Sequence, residues 1–143
     1  MAKVETEYLF QGTQKKVFAG IRNYQAYPAH LPGVTHIEVL PPKAAGSSAQ
    51  VRYELNIIKK FFYVLDMFEE EPNTIHWSLA ESNLMKTNTG SWSFSSKDAQ
   101  TTRATYSLDV KFKGLVPGSI TDSIAKANLP AMMAGFQKII DAQ

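Results

Sequence analysis

The chain of 143 residues contains no cysteine. This absence excludes disulfides, thiol nucleophiles, thiolate zinc sites and iron–sulfur clusters, and it is compatible with a reducing compartment. The sequence also lacks any apolar run that approaches the roughly 18 residues of a membrane-spanning helix. Strand-like alternation begins at Val4, which leaves no room for a signal peptide. We therefore expect a cytoplasmic protein without a transmembrane segment.

Neither sign of charge dominates the sequence. The formal net charge is +2, and acidic and basic residues are interspersed, so there is no basic block that would follow the phosphates of a nucleic acid. Nucleic acid is therefore not an expected partner. With 44% hydrophobic residues, the chain is long enough for one domain with a sizeable core and too short for two comfortable ones. We expect a single domain over residues 1–143.

Motifs of familiar catalytic sites are missing as well. No Gly-x-Ser-x-Gly elbow occurs, and the segment Gly114–Gly118 lacks the lysine of a phosphate-binding loop. The histidines His30, His36 and His76 do not have the spacing of a metal set, although the position of His30 would place it beside a cavity mouth. We predict no catalytic residue, no metal and no cofactor. Whether the protein is an enzyme stays open, with the balance towards a non-catalytic one.

Alternating polar and apolar residues predict a sheet of half-buried strands. The clearest strand runs from Thr102 to Phe112, where one parity is apolar and the other polar. In another strand, Gly90 suggests a bulge or a bend. The segment Phe61–Phe68 is apolar at both parities, so it is either buried on both sides or covered on its outer face by a partner. The other predicted strands are Val4–Phe10, Val34–Leu40, Val51–Ile57, Ile75–Leu79 and Thr87–Phe94.

Three helices are predicted around these strands. Thr13 can cap a short first helix, and Asn23 can cap a second one, because both precede apolar residues at helical spacing. A long C-terminal helix would begin at the capping box Ser119–Asp122. The proline in this helix predicts a kink over Lys126–Pro130, because it removes a helical hydrogen bond. The predicted order is strand, two helices, six further strands and a long helix.

The inward positions of the strands and of the last helix carry large apolar and aromatic side chains. Aromatic rings and adaptable methionines suit a pocket for a hydrophobic molecule. The inward polar groups that could orient this molecule by hydrogen bonds are Asn88, Thr102 and the hydroxyls of Tyr53 and Tyr106. The same residues could instead only pack together as a core. The assigned inward positions hold no Asp, Glu, His or Lys, which argues against acid–base catalysis. The candidate ligand-binding residues are Tyr53, Trp77, Asn88, Trp92, Tyr106, Met132, Met133 and Phe136.

Several short motifs follow one another along this order of elements. They are Val17-Phe18, Tyr27-Pro28, Leu31–Val34, Asn88–Phe94, Val116–Gly118 and Pro130. In this order they resemble the START-like superfamily, in its polyketide cyclase/dehydrase and lipid transport branch, and the resemblance covers nearly the whole chain. It implies an α+β helix-grip fold, in which a curved seven-stranded antiparallel sheet wraps around a long C-terminal helix. Two short helices would lie between strands 1 and 2, and a ligand cavity would lie between sheet and helix.

The resemblance leaves the function open, because such proteins include lipid and sterol carriers, hormone receptors, polyketide cyclases, coenzyme-Q-binding proteins and a ribosome-association toxin. We expect binding or carriage of a hydrophobic small molecule, such as a lipid, a quinone or a polyketide-like aromatic. One alternative is a cyclase or dehydrase that acts by orienting its substrate. Another is a protein-docking module, such as a ribosome-association factor, that uses the strand Phe61–Phe68. The ligand, the pathway and the oligomeric state are not determined by the sequence.

Overall fold

The structure, a computed structural model, describes residues 2–57, 59–114, 116–118, 121 and 129–143. Within these residues the elements follow the predicted order and form the helix-grip fold. The strands are β1 (Ala2–Gln11), β2 (Val34–Leu40), β3 (Ala49–Ile57), β4 (Lys59–Glu70), β5 (Thr74–Ser82), β6 (Met85–Asp98) and β7 (Thr101–Phe112). The helices are α1 (Gln14–Ile21), a 3-10 turn (Tyr24–Ala26), α2 (Tyr27–His30) and α3 (Leu129–Asp141).

The described strands form a single antiparallel sheet in the order β1-β7-β6-β5-β4-β3-β2. Strands β2 to β6 each pair with the next strand along the chain, and β1 pairs with β7. The two edges of the sheet are therefore β1 and β2. Because almost every pairing joins neighbours in sequence, short connections determine most of the topology.

Strand β7 shows how the alternation in the sequence becomes burial. Ala104 and Val110 are buried, whereas Arg103 and Lys111 on the other parity are exposed. The predicted division of this strand into an apolar and a polar face is confirmed. Full burial of one large apolar side chain stabilises the folded state by about 1.5–3 kcal/mol, so such a face supplies much of the driving force for folding.

The helical segment after β1 is held by one predicted contact and one that was not predicted. The Oγ1 atom of Thr13 accepts a hydrogen bond from the backbone N–H of Lys16 at 3.2 Å, which confirms the first cap. Asn23 makes no capping hydrogen bond with its side chain, so the second predicted cap is wrong. Instead, the hydroxyl of Tyr27 donates to the carbonyl oxygen of Ile21 at 2.6 Å and joins α2 to the end of α1.

Two aromatic side chains on the outer face of β4 pack against residues of neighbouring strands. Phe62 on the outer face lies under the guanidinium of Arg52, whose central carbon is 4.1 Å from the ring centre. Phe68, also on the outer face, stacks on His76 with ring centres 4.8 Å apart and planes at 5°. Cation–π and stacking contacts of this kind cover apolar rings. Side chains of the same chain therefore cover part of each ring, and both rings remain half-buried.

Gly90 lies outside the register irregularities between β6 and β7, so it forms no bulge in that pairing. On its other side it pairs with Trp77, and the ladder between β5 and β6 ends at this pair. A Cβ atom at this position would collide with the indole of Trp77 and would lie 2.6 Å from the carbonyl oxygen of Ser107. A glycine is required here because the indole lies directly against the backbone of β6.

Helix α3 packs across α1 and α2. The backbone carbonyl of His30 approaches Gly135 so closely that a Cβ atom there would overlap it. The predicted capping box Ser119–Asp122 lies outside the described residues, and so does most of the predicted kink over Lys126–Pro130. Of the helices that the structure describes, none has the length and apolar character needed to cross a membrane.

Candidate functional site

A cavity of about 140 Å³ lies between the sheet and the helices α2 and α3. One buried water needs only about 10–15 Å³ by a comparable measure, so this space is much larger than a packing defect. Its lining is mainly apolar and comes from β2 to β7, from the helical segment after β1 and from α3. An apolar cavity of this kind can enclose a hydrophobic molecule.

Most of the candidate ligand-binding residues border this cavity. Met133 is the exception, because it is buried but does not border the cavity. One residue along an α-helix turns the side chain by about 100°, so Met132 faces the cavity while Met133 packs into the core beside it. A binding role for the others remains a prediction. The candidates that border the cavity are Tyr53, Trp77, Asn88, Trp92, Tyr106, Met132 and Phe136.

Three polar positions differ from the expectation. Thr102, which was expected to orient a ligand, is fully buried and donates its hydroxyl to the carbonyl oxygen of Gly12 at 2.9 Å. Tyr27 and Tyr63 border the cavity and were not predicted. Tyr63 lies on the strand that is apolar at both parities, so alternation did not identify its inward face. Tyr27 lies on a four-residue helix, which is too short to show a helical period.

Aromatic rings in contact form a preorganised wall. The ring of Trp92 lies 4.8 Å from that of Tyr106 and meets Phe136 edge-on at 5.4 Å. Phe136 in turn meets Tyr27 edge-on at 5.4 Å. Edge-to-face and tilted pairs at these distances are attractive and fix the orientation of each ring. The wall therefore joins the sheet, α2 and α3 into one rigid surface.

Asn88 and Trp77 form a buried polar pair beside this wall. The indole Nε1–H of Trp77 donates to Oδ1 of Asn88 at 3.1 Å, which fixes the orientation of the amide because an indole N–H is only a donor. The amide nitrogen of Asn88 has the sulfur of Met85 as its partner at 3.5 Å, and a thioether is a weak acceptor. The amide therefore retains the capacity to donate to a ligand.

Three tyrosine hydroxyls at the cavity have no partner among the described residues. In this part of the chain those of Tyr53, Tyr63 and Tyr106 make no hydrogen bond, whereas Tyr24 donates to Glu69 and Tyr27 to a backbone carbonyl. They are available donors in an otherwise apolar site.

Burial keeps these hydroxyls protonated. It raises the pKa of Tyr53 well above the ordinary value of 10.0, with smaller contributions from nearby tyrosines. Burial likewise raises the pKa of Tyr63 and of Tyr106. Each phenol is therefore neutral over the physiological pH range and acts as a hydrogen-bond donor, not as a general base.

The raised tyrosine pKa values predict alkaline sensitivity. Because the folded-state pKa exceeds the unfolded-state value, the associated stabilisation is complete below about pH 10 and is lost as pH rises through the folded-state pKa. We expect the free energy of unfolding, measured by urea titration with circular dichroism, to fall steeply above about pH 10. Tyr106→Phe should make this fall shallower. A stability that stays constant to pH 12 would contradict the prediction.

The described residues that border the cavity include no Asp, Glu, His or Lys. His30 is exposed on α2 and does not border it. Outside the lining, Glu69 and Arg22 pair with each other at 3.1 Å, and Glu69 also accepts a hydrogen bond from the hydroxyl of Tyr24. The described residues that line the cavity can therefore bind and orient a molecule by apolar contact and neutral hydrogen bonds.

Comparisons with known proteins agree with this architecture. Residues 12–137 match the family described as Polyketide cyclase / dehydrase and lipid transport. A START superfamily protein from Mycobacterium smegmatis has a TM-score of 0.83 at 17% identity, with 98% of this chain and 97% of that chain covered. A protein from Thermus thermophilus has a TM-score of 0.84 at 15% identity, with 99% and 98% covered. The Zhui aromatase/cyclase from Streptomyces sp. R1128 has a TM-score of 0.78 at 14% identity, with 99% and 92% covered.

At these identities the structural likenesses concern the fold and not the ligand. The sequence matches no curated protein. The family match spans most of the residues between β1 and the end of α3, and the sheet order and the C-terminal helix agree with it. The chain therefore belongs to the polyketide cyclase/dehydrase and lipid transport family.

Proposed function

We propose that the protein binds or carries a hydrophobic small molecule with at least one hydrogen-bond-accepting oxygen. The observation that supports this most is the set of hydroxyls of Tyr53, Tyr63 and Tyr106, which border an apolar cavity without a described partner. Each buried methylene of the ligand contributes about 0.8 kcal/mol, so burial accounts for most of the affinity. The hydroxyls would select molecules that carry a carbonyl, quinone or phenolic oxygen.

A second candidate function is a cyclase or dehydrase that acts by orientation. The observation in its favour is that the amide of Asn88 and the tyrosine hydroxyls form several donors around one space, which could hold the carbonyls of a flexible chain in a reactive arrangement. The lining offers no carboxylate, imidazole or amine among its described residues to move a proton. Binding or carriage is therefore the function that the geometry supports better.

Two ligands of the same ring skeleton test the proposed function. Equilibrium dialysis would measure the affinity of the protein for 1,4-naphthoquinone, which has two acceptor oxygens, and for naphthalene, which has none. We expect the triple variant Tyr53→Phe, Tyr63→Phe, Tyr106→Phe to bind the quinone about tenfold more weakly, because one net hydrogen bond is worth about 0.5–1.5 kcal/mol. The affinity for naphthalene should not change.

Tyr27→Phe is the matched control. It removes a hydroxyl that already donates to Ile21 at 2.6 Å, so it should lower the stability of the protein and leave the ratio of the two affinities unchanged. If neither compound bound to the unaltered protein, the proposed function would be wrong. If the triple variant lost both affinities equally, the hydroxyls would have no role in selection.

A further inference from the structure

The two ends of the sheet differ in their balance of charge. Half of the twelve lysines in the chain lie at the end of the sheet where β1, β2, β4 and β6 begin and where β3, β5 and β7 end. We call this the lysine end. Its lysines, all exposed, are Lys3, Lys59, Lys60, Lys86, Lys111 and Lys113.

The strand register places these residues together. Ala2 of β1 pairs with Val110, and Met85 of β6 pairs with Phe112, so the first residues of β1 and β6 flank the end of β7. At the other side of the sheet, Ile57 pairs with Lys59 where the β3–β4 hairpin reverses. Lysines from separate parts of the sequence are therefore gathered along one rim.

Among the described residues, fewer acidic side chains than lysines lie at this rim. Asp109 lies 3.8 Å from Lys3, and Glu54 pairs with Arg52 at 3.5 Å. Glu5 and Glu81 are the further acidic residues at the lysine end. Among the described residues, no ion pair involves five of the lysines, which are Lys59, Lys60, Lys86, Lys111 and Lys113. The opposite end of the sheet carries both signs, including the acidic run Glu69–Glu71.

Among the described residues, those that border the cavity and are only half-buried lie towards the lysine end, and we infer that the cavity opens on this side. Several residues that border it are only half-buried there, including Pro32, Val34, Leu129 and Met132, whereas Ile75 deeper in the cavity is fully buried. Val34 is the first residue of β2 and pairs with Leu55 near the end of β3. The cavity mouth is thus an apolar opening with lysines along the adjoining rim of the sheet.

We propose that the lysine end docks on an anionic lipid bilayer, from which the apolar ligand enters the cavity and to which it returns. The inference rests on the proposed function, because a hydrophobic ligand needs an apolar phase at both ends of its path. Lysines near an anionic membrane surface contribute about 1 kcal/mol each, and apolar residues between them can enter the interfacial region. Lysine side chains also bring apolar stems to such a surface.

Two features favour a bilayer over an acidic protein or a nucleic acid. All six cations are lysines, which act as point charges and lack the planar fork with which arginine makes bidentate contacts. The lysines also adjoin the opening of the cavity, where exposed Pro130 and half-buried Leu129 lie. A charged rim beside an apolar mouth matches charged headgroups above a hydrocarbon phase.

Vesicle sedimentation tests the docking surface. Unilamellar vesicles of phosphatidylcholine alone would be compared with vesicles that contain phosphatidylglycerol, at low and high salt. We expect binding to the anionic vesicles only, and its loss at high salt. The variant Lys59→Glu, Lys60→Glu, Lys86→Glu should lower the partition coefficient roughly a hundredfold or more, given about 1 kcal/mol for each lysine. It spares Lys113, whose Nζ donates to the carbonyl oxygen of Ser82 at 2.7 Å.

The matched control is Lys15→Glu, Lys43→Glu, Lys97→Glu, which makes the same change of charge at exposed positions of the opposite end. An equal loss of binding in the control would overturn the inference, because net charge alone would then explain it. Equal or stronger binding to soluble poly-glutamate would also overturn it in favour of an acidic protein.

Binding of 1,4-naphthoquinone in the absence of vesicles separates the two proposals. If the protein binds naphthoquinone but not vesicles, the docking proposal is wrong and the proposed function stands. If it binds vesicles but not the ligand, the proposed function is wrong, and so is the exchange that depends on it.

Discussion

Replacing Gly90 with alanine is expected to destabilise the protein by about 3 kcal/mol, the upper end of the usual cost of overpacking. The new methyl group would collide with the indole of Trp77 and would lie 2.6 Å from the carbonyl oxygen of Ser107. The indole cannot move freely, because its Nε1–H donates to Asn88 and its ring lies 6.2 Å from that of Tyr106. Urea unfolding followed by circular dichroism would measure the loss.

Gly118→Ala is the control, since a Cβ atom there has open space within 4 Å among the described residues. We expect it to change the stability by less than about 0.5 kcal/mol. Because Trp77 borders the cavity, Gly90→Ala should also weaken the binding of 1,4-naphthoquinone. A cost below about 1 kcal/mol, the lower end of the overpacking range, would show that the indole rearranges easily, and the wall would then not be preorganised.

The strands and most of their faces could be predicted because each depends on a local pattern. In β3, Val51, Tyr53 and Leu55 alternate with polar residues, and all three are buried as that alternation requires. Strand boundaries were less well predicted. Strand β6 is longer than the predicted strand. Its exposed C-terminal end continues to pair with β7 without apolar residues to mark it, and at its other end the buried Met85 pairs with Phe112.

The details of the site depend on contacts between distant segments, which alternation does not describe. Thr102 has the inward parity that was predicted for it. Its hydroxyl, however, donates to the carbonyl oxygen of Gly12, just after β1, at 2.9 Å, and this hydrogen bond occupies it. Tyr63 is paired directly opposite Tyr53, and its ring stacks on that of Tyr53 at 4.7 Å. This pairing follows from the register of the hairpin, and no single strand shows it. The cytoplasmic location and the single domain remain predictions.

The lysine end is a further example of information that appears only on folding. The net charge of +2 and the interspersed signs correctly indicate that no basic block exists in the sequence. Antiparallel pairing nevertheless brings the beginning of β6 beside the end of β7. Lys86 and Lys111 therefore lie on neighbouring strands at the same end of the sheet, although they are far apart in the chain. A charge pattern on a sheet therefore follows from its register, whereas composition reports only the sum.

Filling the cavity is expected to abolish ligand binding. Leu108 is half-buried on β7, borders the cavity and pairs with Gly90, which carries no side chain. In Leu108→Trp the larger ring would extend into the cavity and exclude the ligand. We expect the affinity for 1,4-naphthoquinone in equilibrium dialysis to fall by at least about a hundredfold, because the loss of about four buried methylene equivalents at about 0.8 kcal/mol each is sufficient.

Leu9→Trp provides the same substitution at a surface position, since Leu9 on β1 is 40% exposed. This control should bind the quinone as the unaltered protein does. The cavity-filling variant should stay folded, with a stability within about 1.5 kcal/mol of the unaltered protein, because the ring occupies existing space and need not displace packed atoms. Loss of binding together with retained folding would locate the ligand between the sheet and α3. Retained binding in Leu108→Trp would instead mean that the ligand binds elsewhere, and the three tyrosine hydroxyls would then have no ligand to contact.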